Sequence, residues 1–253
     1  MILAKRVAIV TGAGSGIGQA SAEIIAREGA AVVVSDLVLG RAEETVAKIK
    51  AAGGKAEAIA ADVSNDDAVQ KLIDHTLHKH GRIDILHNHA GIQPEGNLEQ
   101  VSLAAFDRAF AVNVRAHFYA SRLVVPAMKK QGGGVILNTS SSSGVLYDRE
   151  MIAYCTTKHA VIAMTRQMAL DYAQFNIRAN ALCPGWIDTP FNEPFIRQMG
   201  GRAAVENYIA QKVPLKRWGT VAEMAEAVLF LVSDRSSFMT GQTLVVDGGE
   251  TIA

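Results

Sequence analysis

Tyr154 and Lys158 stand four residues apart in the run Tyr154-Cys155-Thr156-Thr157-Lys158, so on a helix their side chains share one face. That pairing suits proton transfer. A free phenol titrates near a pH of about 10, and an adjacent ammonium favours the phenolate, drawing the group toward the range in which a general base works at neutral pH. The same pair also arises by chance on many helices, and spacing alone leaves an ordinary helix face as the alternative.

A second chemical signal lies near the start of the chain. Thr11-Gly12-Ala13-Gly14-Ser15-Gly16-Ile17-Gly18 follows the apolar run Val7 to Val10 and precedes a helix-like segment from Gln19 to Glu28. A strand that ends in glycines and turns into a helix presents backbone N–H groups and the positive helix end to an anion such as a pyrophosphate. An ordinary tight turn is the alternative. The next apolar run, Ala31 to Ser35, ends in Asp36 and completes a βαβ unit. A carboxylate there accepts hydrogen bonds from the adenosine ribose hydroxyls of NAD and repels the 2′-phosphate of NADP. Ser15 and Leu37 supply no cation for a phosphate, so the expected cofactor is NAD. A solvated turn carboxylate is the other reading of Asp36. Asp62-Val63 and Asn88-His89-Ala90-Gly91 end the third and fourth strands, at the crevice where ligands of open α/β sheets bind; Asp62 reads equally as a helix-leading turn residue.

The elements that must position these groups follow from periodicity. Short apolar runs near Val7, Val32, Ala56, Ile83, Val135, Ile177 and Leu244 alternate with amphipathic stretches. Such alternation predicts a doubly wound, Rossmann-like α/β sandwich with a central parallel sheet of about seven strands and helices on both faces. Ser64 and Asp67 resemble a capping box before Val69, Leu72, Ile73, Thr76 and Leu77 at helical spacing. The stretch from Pro184 to Pro214 breaks the rhythm with prolines and Gly200-Gly201, and reads as a long irregular insertion, with a substrate lid at about 190–214 of one domain spanning 1–253.

Composition narrows the function. The chain has 253 residues, 49% of them apolar, and Lys+Arg and Asp+Glu each number 25. With no block of like charge, a nucleic-acid partner is not expected. Cys155 and Cys183 are too few for a disulfide framework, and no signal-like segment opens the chain, so it is expected in the cytoplasm. Apolar runs are too short for a membrane span. His75, His78, His80, His87 and His89 lack the accompanying spacing of a metal site, and none is expected.

Together these segments resemble the short-chain dehydrogenase/reductase family in its common single-domain form, over nearly the whole chain. The glycine turn is Thr11 to Gly18, and the Asn-Asn-Ala-Gly segment is Asn88 to Gly91. The family's Tyr-x-x-x-Lys falls at Tyr154 and Lys158. Its serine falls at Ser141, 13 residues before Tyr154, with Ser140 as the alternative, and its helix-borne asparagine at Asn113. A Pro-Gly segment spans Cys183 to Pro190, and Asp-Gly-Gly spans Asp247 to Gly249. The resemblance implies that Tyr154 exchanges the alcohol proton, Ser141 hydrogen-bonds the substrate oxygen, and Lys158 holds the nicotinamide ribose and lowers the tyrosine pKa. Asn113 would hold a water linking Lys158 to solvent. Cofactor contacts would involve Gly12, Ser15, Gly16, Ile17, Gly18, Asp36, Asp62, Val63, Asn88 and Ala90, with Tyr154, Lys158, Ile187 and Thr189. One departure is His89, which replaces the family's second Asn and puts the local strand-end hydrogen bonds in question.

Loops after strands four to six are expected to line the substrate pocket: Gln93, Ser143, Tyr147, Arg149, Trp186 and Phe191, with Pro94, Glu95, Val145, Asn192 and Phe195 nearby. The reaction expected is NAD-dependent interconversion of a compact, partly polar secondary alcohol and its ketone. Its rivals are an NADPH-dependent 3-oxoacyl-carrier-protein reductase and a non-catalytic nucleotide-binding protein on the same scaffold. Arg149 would meet a substrate anion or pair with Asp148 or Glu150. The family implies a homotetramer, for which Phe106, Phe110, Phe118, Val161, Met164 and Met168 offer an apolar face or simply core.

Overall fold

The computed structural model describes residues 1–253. Seven strands, β1 (Val7–Thr11), β2 (Ala31–Asp36), β3 (Lys55–Ala60), β4 (Ile85–Asn88), β5 (Gly134–Thr139), β6 (Ile177–Pro184) and β7 (Thr243–Val246), form one sheet in the order β3-β2-β1-β4-β5-β6-β7. Every pairing is parallel, from Val7 beside Ala31 to Pro184 beside Val246. The central strands are buried on both faces, which is why β1 reads as an unbroken apolar run.

Alternate side chains feed two cores. Ala8, Val10, Val32 and Val34 pack with helices α1 (Gly16–Arg27), α2 (Leu39–Ala51) and α9 (Val221–Val232), whereas Ile9 and Val33 face the opposite layer. That layer holds α3 (Asp66–His80), α5 (Ala116–Gln131) and α6 (Ile152–Tyr172). Truncating a fully buried leucine such as Leu72 or Leu86 to alanine would cost about 2–5 kcal/mol. The strand order reverses direction between β1 and β4, so their following loops part and open a crevice at the carboxyl ends.

The helix α4 (Leu103–Phe110) runs through a π-helical turn, Ala111–Arg115, into α5. The stretch read as irregular instead contains α7 (Glu193–Gln198) and α8 (Arg202–Lys212), separated by Gly200 and Gly201 at positive φ and joined through Ile196, Val205, Ile209 and Val213. The cap of α3 also differs from expectation. Asn65, not Ser64, accepts the Ala68 N–H, because the Ser64 hydroxyl donates to Asp62 at 2.7 Å. Of the apolar face considered for assembly, Val161 and Met168 belong to the interior, whereas Phe118 is about half exposed.

Candidate active site

The glycine turn is held open by backbone demands. Gly12 and Gly16 have φ of +64° and +54°, a region open to glycine. A Cβ on Gly12 would stand 2.9 Å from the Ala90 Cα, so the turn lies directly against the loop after β4. Ser15 does not cap α1 with its side chain, which leaves the first-turn N–H groups and the positive helix end beside a cavity that Ser15, Gly16 and Ile17 line. Gly18 stands behind this wall, packed on Gly12 and the His89 ring.

Asp36, at the end of β2, lines one end of this cavity of about 310 Å³. Its two oxygens accept the Gly14 and Val38 N–H groups at 2.9 and 3.0 Å, leaving lone pairs for further donors. Arg41, which the spacing did not single out, stands beside Gly14 at the same end. Asp62 and Val63 also line the cavity. Burial works to raise the Asp62 carboxyl, but hydrogen bonds from Ser64 and Arg108 hold it below the usual range. Ala90, Ile187 and Thr189 complete this wall.

Beneath the floor lies a buried polar layer. Asn88 donates to Asn138 at 2.9 Å, tying β4 to β5, and lies outside the cavity wall. His89 does line the wall; its Nδ1 lies 3.1 Å from the Thr139 hydroxyl, which His87 Nε2 also meets at 2.9 Å. Burial lowers the imidazole pKa of His89 to about 4 and that of His117 to about 3, with the Lys158 charge adding to both shifts. His75 and His80 lie far from this layer, converging with Lys79 on Glu57.

Tyr154 and Lys158 fall in the first two turns of α6, which begins at Ile152. Both are buried, with Lys158 Nζ 5.5 Å from the Tyr154 ring centroid. The ammonium donates to the Thr139 carbonyl at 3.0 Å and has no carboxylate partner; burial lowers its pKa to about 8. The phenol departs from expectation. Burial pushes its pKa well above the ordinary tyrosine value, outweighing the hydrogen bond with Ser141 that acts the other way. Spacing announced the cation but not the desolvation.

The serines sort themselves by their partners. Ser140 spends its hydroxyl on the Lys158 carbonyl at 2.8 Å, and Ser143 donates to Asp148 at 2.6 Å. Ser141 Oγ accepts the Ser143 N–H at 3.2 Å, which leaves its own hydroxyl hydrogen turned to Tyr154 rather than to the backbone. Asn113 lies in the π-helical turn, a feature frequent at functional sites. Its carboxamide clasps Ile92, accepting from the backbone N–H at 2.8 Å and donating to the carbonyl at 2.9 Å. It also donates to Thr157 Oγ1, which donates to the Tyr154 carbonyl. Asn113 thus fixes the start of α6 against the β4 loop. Gly91 lies between Asn113 Oδ1 and Lys158 Nζ, where any Cβ would crowd both.

At the far end, Gln93, Ser143, Trp186 and Phe191 line the cavity, as do Asn192 and Phe195. Tyr147 and Arg149 do not. The turn Ser142–Gly144 throws the following loop outward, so Tyr147 stacks on His159 at the surface and Arg149 is exposed without an ion pair. Pro94, Glu95 and Val145 likewise lie off the wall. Asp148, Met151 and Glu250 take those places. None sits at a strand end or in a periodic pattern that would have marked it.

A family model described as enoyl-(acyl carrier protein) reductase matches residues 12–251. Cyclohexanol dehydrogenase of Acinetobacter sp. strain SE19 is 38% identical over 248 residues, covering 98% of this chain and 95% of that one. The crystal structure of levodione reductase aligns with a TM-score of 0.96 at 34% identity, covering 99% of both chains. A 7α-hydroxysteroid dehydrogenase complexed with NADH and 7-oxo glycochenodeoxycholic acid aligns with a TM-score of 0.92 at 37% identity, covering 98% and 94%.

Proposed function

The chain belongs to the short-chain dehydrogenase/reductase family, and from that premise we propose that it is an NAD-dependent oxidoreductase interconverting a secondary alcohol and a ketone, with Tyr154 as general acid and base. The observation that carries this reading is the buried Tyr154 phenol on the cavity wall, with Ser141 beside it and the unpaired Lys158 ammonium 5.5 Å from its ring.

The residues fit a dinucleotide. A Cβ on Gly16 would approach Thr189 Cγ2 to 3.3 Å, narrowing the cradle that the uncapped α1 N-terminus opens to a pyrophosphate. Gly12, Ser15, Gly16 and Ile17 would hold the phosphates and Asp36 the adenosine ribose, with Asp62 and Val63 farther along the same wall. Ala90, Lys158, Ile187 and Thr189 would hold the nicotinamide half. NAD, when bound, supplies the acceptor for the carbinol hydride. The chain supplies the rest: Ser141 donates to the substrate oxygen, Tyr154 takes its proton, and Lys158 stabilises the phenolate. Because burial opposes the phenolate, the phenol ionises only where positive charge gathers. In reduction the phenol returns the proton.

A homotetramer of cytoplasmic enzyme belongs to the same reading. The competing NADPH-dependent 3-oxoacyl-carrier-protein reductase draws support from Arg41 at the adenosine end. The deciding test is Tyr154→Phe, expected to cut alcohol-dependent NADH formation about 10³-fold while NAD binding, followed by fluorescence, changes less than about twofold. Retained turnover would refute the assignment.

A further inference from the structure

Apart from Lys158 beneath the floor, cations are absent from the end of the cavity that holds Tyr154. Arg108 lies at the opposite end, bound to Asp62, and Arg149 points into solvent. Two carboxyl groups line the cavity there instead. Asp148 lines the wall from the loop after β5, with Oδ2 accepting from Ser143 and Oδ1 unengaged. Glu250 comes from the carboxyl-terminal turn, where its Oε1 accepts from Trp186 Nε1 at 2.8 Å and Tyr208 OH at 3.3 Å. Its Oε2 is buried without a partner, in a residue only 9% exposed. A buried acceptor left unmatched is costly, and a ligand donor that satisfies it recovers that cost. Asp148 acts electrostatically on both Tyr154 and Glu250, so the two carboxyl groups flank the reacting end as one acceptor-rich field.

Aromatic rings set the remaining shape. Trp186 stacks on Phe195 at 5.4 Å between centroids, and Phe191 tilts against Tyr154 at 6.3 Å. A substrate therefore meets an apolar slot bounded by acceptors. We infer that the natural substrate is a secondary alcohol bearing a second hydrogen-bond donor, a hydroxyl or an ammonium, which Glu250 and Asp148 recognise, and that hydroxy acids are rejected. This inference rests on the dehydrogenase reading above and names its substrate class.

The test uses matched substrates with the full-length protein and NAD. One set is cyclohexanol, cyclohexane-1,4-diol, 4-aminocyclohexanol and 4-hydroxycyclohexanecarboxylate; a second is 2-butanol, 2,3-butanediol, 1-amino-2-propanol and 3-hydroxybutyrate. In at least one set, kcat/KM for the diol or the amino alcohol is expected at least about tenfold above the plain alcohol, with the hydroxy acid at least about tenfold below it. The better of the two donors tells hydroxyl recognition from ammonium recognition. Glu250→Gln keeps the shape and the bonds to Trp186 and Tyr208, and Asp148→Asn is its counterpart. In either variant the donor preference is expected to fall to within about threefold, chiefly through KM, whereas a purely structural lesion would depress all substrates together. Unchanged ratios in both variants, uniform depression, or a hydroxy acid matching the diol overturns the inference. Failure of every alcohol to reduce NAD or NADP refutes the dehydrogenase reading itself, a separate outcome.

Discussion

Replacing Asp36 by asparagine probes the cofactor end with little change of shape. In the proposed reading Asp36 would hold the adenosine ribose, and the 2′-phosphate of NADP would meet its carboxylate. Two unit charges about 4–5 Å apart at an effective dielectric of about 20 repel by about 3–4 kcal/mol. Salt screening at this partly open cavity edge brings the net to roughly 2–3 kcal/mol. That corresponds to a preference for NAD of about 10²-fold in kcat/KM. The substitution removes the charge but keeps one carbonyl oxygen, so either Gly14 or Val38 loses its acceptor, at a cost of about 1 kcal/mol in stability. Steady-state kinetics with both cofactors is expected to show NADP use rising at least about tenfold in Asp36→Asn, and NAD use falling a few-fold. Adding Arg41→Ala is expected to withdraw much of the NADP gain, since the Arg41 side chain starts beside Gly14 at that end. The reasoning fails if the unmodified enzyme uses NADP within threefold of NAD, or if Asp36→Asn leaves the ratio unchanged.

Ser141→Ala is expected to lower kcat about 10²-fold with the melting temperature nearly unchanged, whereas Ser140→Ala, which removes a buried second hydrogen bond to the Lys158 carbonyl, is expected to lower thermal stability first; the reverse pattern in paired kinetics and melting curves would reassign the serines. Acid sensitivity tests the buried histidines. His89 binds a proton near pH 4 in the folded state against about 6.5 when unfolded, so between these values the unfolded chain holds more protons and stability falls as the pH falls. Urea unfolding at pH 7 and 4.5 is expected to show His89→Asn losing about 2 kcal/mol less than the parent over that interval, and equal losses would refute the assignment.

Strand positions were legible because strands covered on both faces are largely apolar, as the runs Val7 to Val10 of β1 and Ala31 to Val34 of β2 are, whereas β4 turns polar at His87 and Asn88. The glycine turn was legible because backbone approach to Ala90 admits no side chain. Other features had no such local signature. Asp148 and Glu250 reach the cavity from a loop and a terminal turn, so only tertiary packing brings them together. The helices α7 and α8 were hidden because Pro194, Gly200 and Gly201 punctuate short segments whose apolar positions meet only after folding. The Tyr154 phenol shows the same limit in its chemistry. Helical spacing reports which charge is near, but only the fold reports how much water has been removed.

His89 illustrates how a departure from a family pattern can be absorbed. The loop after β4 is held by its backbone, since Thr11 Oγ1 accepts the N–H groups of both His89 and Ala90 at 3.0 and 3.2 Å. Its path toward the cavity therefore does not depend on the side chain at position 89. The strand tie that the histidine put in question is remade through Thr139, whose hydroxyl meets His87 and His89 while its carbonyl receives Lys158. A hydroxyl has one hydrogen, so it donates to one imidazole and accepts from the other, and the two ring tautomers are set together. Deep burial keeps both rings neutral at physiological pH. Neutrality matters here, because a protonated ring would place a second cation near Lys158, whose ammonium has no carboxylate to balance it. The replacement is absorbed because the pocket that desolvates His89 also keeps it from adding a second positive charge beside Lys158.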